Sequence, residues 1–155
     1  EETVSVCGGV GNKHHLALTC DVTDPEAVAT AFETITTRLG RLDLLVNNAG
    51  IPGPTGQLDT IDPAHVQATI NTNFLGALWC TQHAFAWMKD HGGGRIINNG
   101  SIASHSPRPG AAAYAASKAA VSSRTVSTAL TGGSNPRPTR RPGATIVAKG
   151  GDLNA

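Results

Sequence analysis

Apolar and polar positions alternate between two periods along most of this chain. Residues 16–22, LALTCDV, form a short apolar and β-branched run that ends at an acidic residue, which predicts a buried strand running into a loop. Helical spacing follows: Val28, Phe32, Ile35 and Leu39 fall on one stripe, Asp24 stands where a cap belongs, Pro25 suits the first turn and Gly40 the end. RLDLLVNNAG then predicts a second strand running into an Asn/Gly turn. After a glycine- and proline-bearing loop, Asp62 and Pro63 open a long helix that continues to the glycines at 92–94. GRIINNGS predicts a third short strand, and the alanine-rich stretch from about residue 111 to 130 a third helix.

Strands alternating with helices across short connections imply an α/β fold in which helices cover a parallel sheet. That organisation predicts one partial α/β domain over residues 1–130. From Thr131 the pattern stops. TGGSNPRPTRRPG carries three prolines, three arginines and no hydrophobic periodicity, so 131–155 is expected to be an atypical segment, a loop or disordered tail, with only ATIVAK able to form a strand.

Composition narrows the function classes. A net charge of +1 over 155 residues gives no general attraction for nucleic acid or a lipid surface, and Arg137, Arg140 and Arg141 beside prolines read as solvated charges. Three widely spaced cysteines, Cys7, Cys20 and Cys80, form neither a C-x-x-C pair nor a disulfide framework, so a reducing cytoplasm is the expected setting and no metal site is indicated. No apolar run approaches the roughly 20 residues that a membrane helix needs. His14 and His15 are adjacent and face different ways, which argues against shared ligation. Trp79 and Trp87, with Leu78, Phe85 and Met88, read as core or as a helix-pairing surface.

The candidate chemistry centres on YAASK. Tyr114 is the chain's one tyrosine, and Lys118, four residues on, shares its helix face about 5–6 Å away at Cβ. A neighbouring ammonium favours the phenolate, so the pair can pass a proton to or from an alcohol oxygen. Ser101 follows the third strand, at the carboxyl edge where open parallel sheets bind ligands, and its hydroxyl could hold a substrate oxygen. Asn47 to Gly50 stand at the corresponding end of the strand before, and Asn73 interrupts an apolar helix stretch. Each residue also has an ordinary structural explanation. Asn73 could satisfy buried backbone, NNAG could be a turn, Ser101 a cap, and Asp21 a cap on the next loop.

NNAG, TNFLG, GRIINNGS and YAASK, in this order and at these spacings, resemble the short-chain dehydrogenase/reductase family. The likeness runs from about Leu16 to Leu130. It implies a partial Rossmann-like, doubly wound parallel sheet and an NAD(P)-dependent oxidoreductase that interconverts an alcohol and a carbonyl, with NAD or NADP as cofactor. By that resemblance Tyr114 would be the acid/base, Lys118 would lower its pKa and bind the nicotinamide ribose, and Ser101 would orient the substrate oxygen. Asn73 would hold a water linking Lys118 to solvent. Asp21 and Val22 would meet the adenine, and Asn48, Ala49 and Gly50 would line the adenosine side of the cleft. The family likeness also implies a homo-oligomer, paired through the long helix and the tyrosine-bearing one, and a small-molecule partner.

The pattern departs from the family at its start. CGGVGNK puts His14 where a G-x-G-x-x-G turn needs its third glycine, and it stands just ahead of LALTCDV, where the family has the loop after its second helix, so it reads as a loop. The first strand-helix-strand unit is therefore expected to be lacking, and in the family's strand order, 3-2-1-4-5-6-7, its loss opens a gap beside the LDLLV strand. Two further readings compete. One is a catalytically inactive fragment that acts only as a dimerising or interaction module. The other is a serine hydrolase, prompted by HGGG at 91–94, but NGSIA around Ser101 lacks the G-x-S-x-G turn.

Overall fold

The computed structural model describes residues 16–127 and 145–148. Helix α1, Pro25–Leu39, opens as its sequence requires: the Asp24 carboxylate accepts from the N–H groups of Glu26 and Ala27, and Pro25 occupies the first turn, where no donor is missed. It stops at Gly40, whose φ of 66° is left-handed backbone that a side chain would strain. Between the two caps, Val28, Phe32 and Ile35 are buried. Replacing Asp24 with alanine is expected to cost about 0.5–2 kcal/mol, read as a lower urea midpoint at unchanged slope.

Strand β1, Leu44–Asn47, buries Leu45 and Asn47 alternately with the less covered Leu44 and Val46. It pairs in parallel with β2, Arg95–Asn98, in the register Leu45 with Ile96 and Asn47 with Asn98. On its other side β1 pairs in parallel with β3, Thr145–Ala148, giving the order β2-β1-β3. The sequence reading expected a gap there. Unpaired N–H and C=O groups along a buried strand are costly, and TIVA, the β-rich piece of the ATIVAK run, takes the position.

Residues 16–22 do not form the expected strand. They have no regular structure up to Asp21, and Val22 begins a turn. The Asp21 carboxylate accepts from both the N–H and the hydroxyl of Thr23 at 2.9 Å, an Asx turn that bends the chain into α1. An apolar β-branched run becomes a strand only where a neighbouring strand can receive its backbone bonds, and β1 already has a neighbour on each side.

The expected long helix is three pieces. Helix α2, Pro63–Ile70, is capped by Asp62; a π-helical turn, Asn71–Gly76, follows; and α3 runs over Ala77–Asp90. At Gly76 the backbone lies so close to Val22 that an added Cβ would stand 2.7 Å from Val22 Cγ2 and 3.0 Å from its carbonyl oxygen. Helix α3 ends at the glycines the sequence indicated, with Gly92 and Gly93 both at positive φ, so HGGG is a helix terminator. A short 3-10 turn, Ile102–Ser104, leads to α4, Ala112–Ser127.

The core lies between β1, α1 and α3, built on Val28, Phe32, Leu42, Leu45, Ala84 and Met88, with Val22 from the connecting turn. Trp79 and Trp87 pack against its edge, and Trp87 stacks on His91. Helix α4 packs against α2, the π-helical turn, the 3-10 turn and β2, which places Tyr114 and Lys118 beside the carboxyl end of the sheet. Among the described residues, no helix is long and apolar enough to cross a membrane. The expectations for CGGVGNK, His14 and His15, Cys7 and the arginines at 137, 140 and 141 lie outside the described residues.

Candidate active site

Asparagines dominate the carboxyl end of β1 and β2. Inside the sheet, Asn47 is buried beneath α3, and its amide nitrogen donates to Thr81 Oγ1 at 3.0 Å and to Asn98 Oδ1 at 2.9 Å, locking the two strand ends together. One step on, where both strands have ended, Asn99 donates through Nδ2 to Asn48 Oδ1 at 2.8 Å. Asn48, Gly50, Asn99 and Gly100 are exposed, so this second rung forms an open rim above the buried first one.

Helix α4 reaches the rim through Lys118. The residue is only 6% exposed, and its ammonium donates to the Asn99 carbonyl at 2.9 Å. Its Nζ also lies 5.8 Å from the centroid of the Tyr114 ring. Among the described residues no carboxylate forms an ion pair with it. A buried cation without a counter-ion is costly, and the arrangement is tolerable where a nearby phenol oxygen, water and a hydroxyl-bearing ligand can share the charge. An ammonium has three donors, and the Asn99 carbonyl engages one of them.

Gly50 faces the same point. A Cβ there would stand 3.2 Å from Asn73 Oδ1 and 3.7 Å from Lys118 Nζ, so the absence of a side chain leaves open the space between the rim and the lysine. Asn73, 1% exposed, is held at the centre of the π-helical turn. Its Oδ1 accepts from Ile51 N–H at 2.8 Å, and its Nδ2 donates to Ile51 O at 2.9 Å and to Ser117 Oγ at 3.0 Å. The side chain thus satisfies buried backbone and fastens the loop after β1 to α4. Both amide hydrogens are committed, so a water held by Asn73 would donate to the second lone pair of its Oδ1 or to its main-chain carbonyl.

Ser101 caps the 3-10 turn: its Oγ accepts from Ala103 N–H at 3.2 Å. Accepting that bond leaves its own hydrogen available to a substrate oxygen. The turn packs on α4, and Gly100 before it lies 3.5 Å, at its Cβ position, from Ser122 on that helix. Val22 is buried against Gly76, and Asp21 is exposed beside it with its carboxylate turned to Thr23. Ala49 is in the core. The structure therefore gathers Asn73, Gly50, Lys118 and Tyr114 tightly, joins Asn48 to them through Asn99, and sets Ser101 at the start of a turn that packs on α4. Val22 meets Gly76 of the π-helical turn that carries Asn73, and Asp21 lies beside Val22.

Four residues escape the sequence reading: Asn99 supplies the lysine's anchor and the bridge to Asn48, Ser117 links Asn73 to α4, and Thr81 and Asn98 lock the strand ends through Asn47. The doubled asparagines at 47–48 and 98–99 are the available signal, since two such pairs end consecutive strands that lie in register. Cys20, packed against the core, has its thiol pushed up by burial, with Asp21 and then Asp24 adding to the effect, so it is a poor nucleophile at neutral pH.

Comparison with known proteins places these features in context. A family model described as short chain dehydrogenase matches residues 1–134. The chain is 38% identical over 108 residues to an NAD(+)-dependent 2-dehydro-3-deoxy-L-rhamnonate dehydrogenase from a Sphingomonas species, covering 70% of this chain and 43% of that protein. Its fold is similar to NAD+-bound xylitol dehydrogenase, with a TM-score of 0.70 and 30% identity over 72% of this chain and 43% of the other. It is also similar to ElxO with NADP bound, with a TM-score of 0.65 and 38% identity over 67% and 42% of the two chains. The chain thus spans less than half the length of the relatives it matches.

Proposed function

Because the chain belongs to the short-chain dehydrogenase family, we propose that the rim above β1 and β2 holds NAD or NADP and that Tyr114 serves as acid/base in exchanging hydride with a small alcohol or carbonyl compound. The observation that carries this reading is the buried Lys118, without a carboxylate partner among the described residues, anchored on Asn99 and set beside the tyrosine ring.

The residues present fit the cofactor. Gly50 leaves the space in front of Lys118 open, and two of the ammonium's donors remain for ribose hydroxyls. By the family resemblance, Asn48, Ala49 and Gly50 would line the adenosine side, and Asp21 and Val22 would meet the adenine. Bound there, a nicotinamide supplies the hydride chemistry that side chains lack.

In alcohol oxidation, Ser101 donates its free hydrogen to the substrate oxygen and fixes its direction. Tyr114, as phenolate, takes the hydroxyl proton while hydride leaves the carbon; in reduction, the phenol returns that proton to the developing alkoxide. The positive charge of Lys118 stabilises the negative charge on the phenol oxygen whenever the proton is away. A water held by Asn73 would connect Lys118 to solvent and reset the tyrosine. Pairing of two copies through α3 and α4 would put Leu78, Trp79 and Phe85 at an interface.

The test is a panel of secondary alcohols with NAD and NADP, followed by the absorbance of the reduced nicotinamide. At least one combination is expected to produce reduced nucleotide in proportion to enzyme. Absence of both turnover and nucleotide binding would instead favour a non-catalytic module.

A further inference from the structure

We infer that Ser117 is a positioning residue, which sets Tyr114 by tying its helix turn to the Asn73 clamp. The inference rests on the reading of Tyr114 as the acid/base. Ser117 is fully buried, at 0% exposure. Its hydroxyl donates to the carbonyl of Tyr114 itself at 2.7 Å and accepts from Asn73 Nδ2 at 3.0 Å. Asn73 is in turn bonded to Ile51 through both Oδ1 and Nδ2. One hydroxyl thus joins three segments: the loop after β1, the π-helical turn and the first turns of α4.

Geometry sets the strength of the argument. A serine inside a helix often bonds back to a carbonyl one turn earlier, and that contact alone would be unremarkable. Here the same oxygen also receives a bond from a buried amide on another element, and the carbonyl it grips belongs to the tyrosine. Chained hydrogen bonds in a dry interior polarise and restrain one another, so the phenol's backbone is held at a fixed distance from Gly50 and the rim. Removing the hydroxyl leaves one Asn73 hydrogen without its acceptor and strips the Tyr114 carbonyl of the bond it makes beyond the helix ladder, so that the turn loses its tie to the Asn73 clamp.

The chain's single tyrosine makes the test direct, because its ring gives one set of signals in a protein labelled at tyrosine with carbon-13. Ser117→Ala is expected to move or split those signals and to speed exchange of the Asn73 carboxamide hydrogens with solvent by about tenfold or more, since both are bonded in the parent. The Trp79 and Trp87 indole signals should stay in place, and Ser117→Thr, which keeps a hydroxyl, should restore the tyrosine signals. Unchanged tyrosine signals in Ser117→Ala would overturn the inference, and so would indole signals that move as much as the tyrosine's, which would mark a general loosening. If Ser117→Ala does not fold, Ser117→Cys fills the space with a weak hydrogen-bonding group, and the same changes are required of it. Adding NAD or NADP to the parent chain separates the two readings. A tyrosine signal that ignores both nucleotides counts against the functional assignment, whereas the coupling of Ser117 to Tyr114 stands or falls on the variants.

Discussion

Tyr114→Phe is expected to lower alcohol oxidation by about 10²–10⁴ while leaving nucleotide affinity nearly unchanged, the span that positioned general acid/base groups contribute. The substitution deletes one oxygen and keeps the ring. Tyr114 is half-buried on α4, and its main-chain carbonyl carries the bond from Ser117, so its backbone place does not depend on the phenol hydroxyl. Lys118 keeps its bond to Asn99, and the ammonium's two other donors stay available to the proposed nucleotide. An interaction made only as the proton moves should lower kcat and kcat/KM together. A variant that retains full turnover would remove Tyr114 from the reaction.

The second large effect is on stability. Asn73→Ala deletes an acceptor and two donors at once, stranding the N–H and C=O of Ile51 and the accepting side of the Ser117 hydroxyl. Orphaned buried polar groups cost about 1–3 kcal/mol each, and with partial relaxation around the half-buried Ile51 a total of about 2–4 kcal/mol is expected. Against a typical stability of about 5–15 kcal/mol, that is a large share. The measurement is urea unfolding followed by tryptophan fluorescence. Thr30→Ala, which removes an exposed side-chain bond to the Glu26 carbonyl, serves as a control expected to change little. If the two variants unfold at the same midpoint, Asn73 is not the clamp described here.

Much of the architecture is legible in the residues. Asp24, Pro25 and Gly40 mark the limits of α1 because capping chemistry is local, and the stripe of Val28, Phe32 and Ile35 names its buried face. The positions of β1, β2 and α4 follow from short apolar runs and an alanine-rich period for the same reason. What failed depends on distant partners. Residues 16–22 have strand-like composition but no strand to pair with among the described residues; ATIVAK was legible as a run able to form a strand, and what the sequence hid is that Thr145–Ala148 pairs beside β1 where a gap was expected.

The interruption of the long helix was equally hidden. A π-helical turn arises here because Asn73 is held by Ile51 from across the site and Gly76 lets Val22 press on the backbone, and neither contact can be read from spacing. Within the site, Tyr114 and Lys118 were visible through their helical offset. Ser117, one residue before the lysine, looked like one more small residue in an alanine-rich helix. Its importance comes from burial and from the two bonds on its oxygen. Asn99 likewise anchors Lys118 through its carbonyl, which every residue possesses, so no residue type could announce that part of its role.

The decisive measurement is a titration of the carbon-13-labelled parent chain with NAD and with NADP, watching the ring signals of Tyr114. If the rim above β1 and β2 holds the nicotinamide beside the lysine–tyrosine pair, those signals shift saturably with at least one of the nucleotides. Ring signals that stay fixed while either nucleotide binds elsewhere, or while neither binds, would contradict the account.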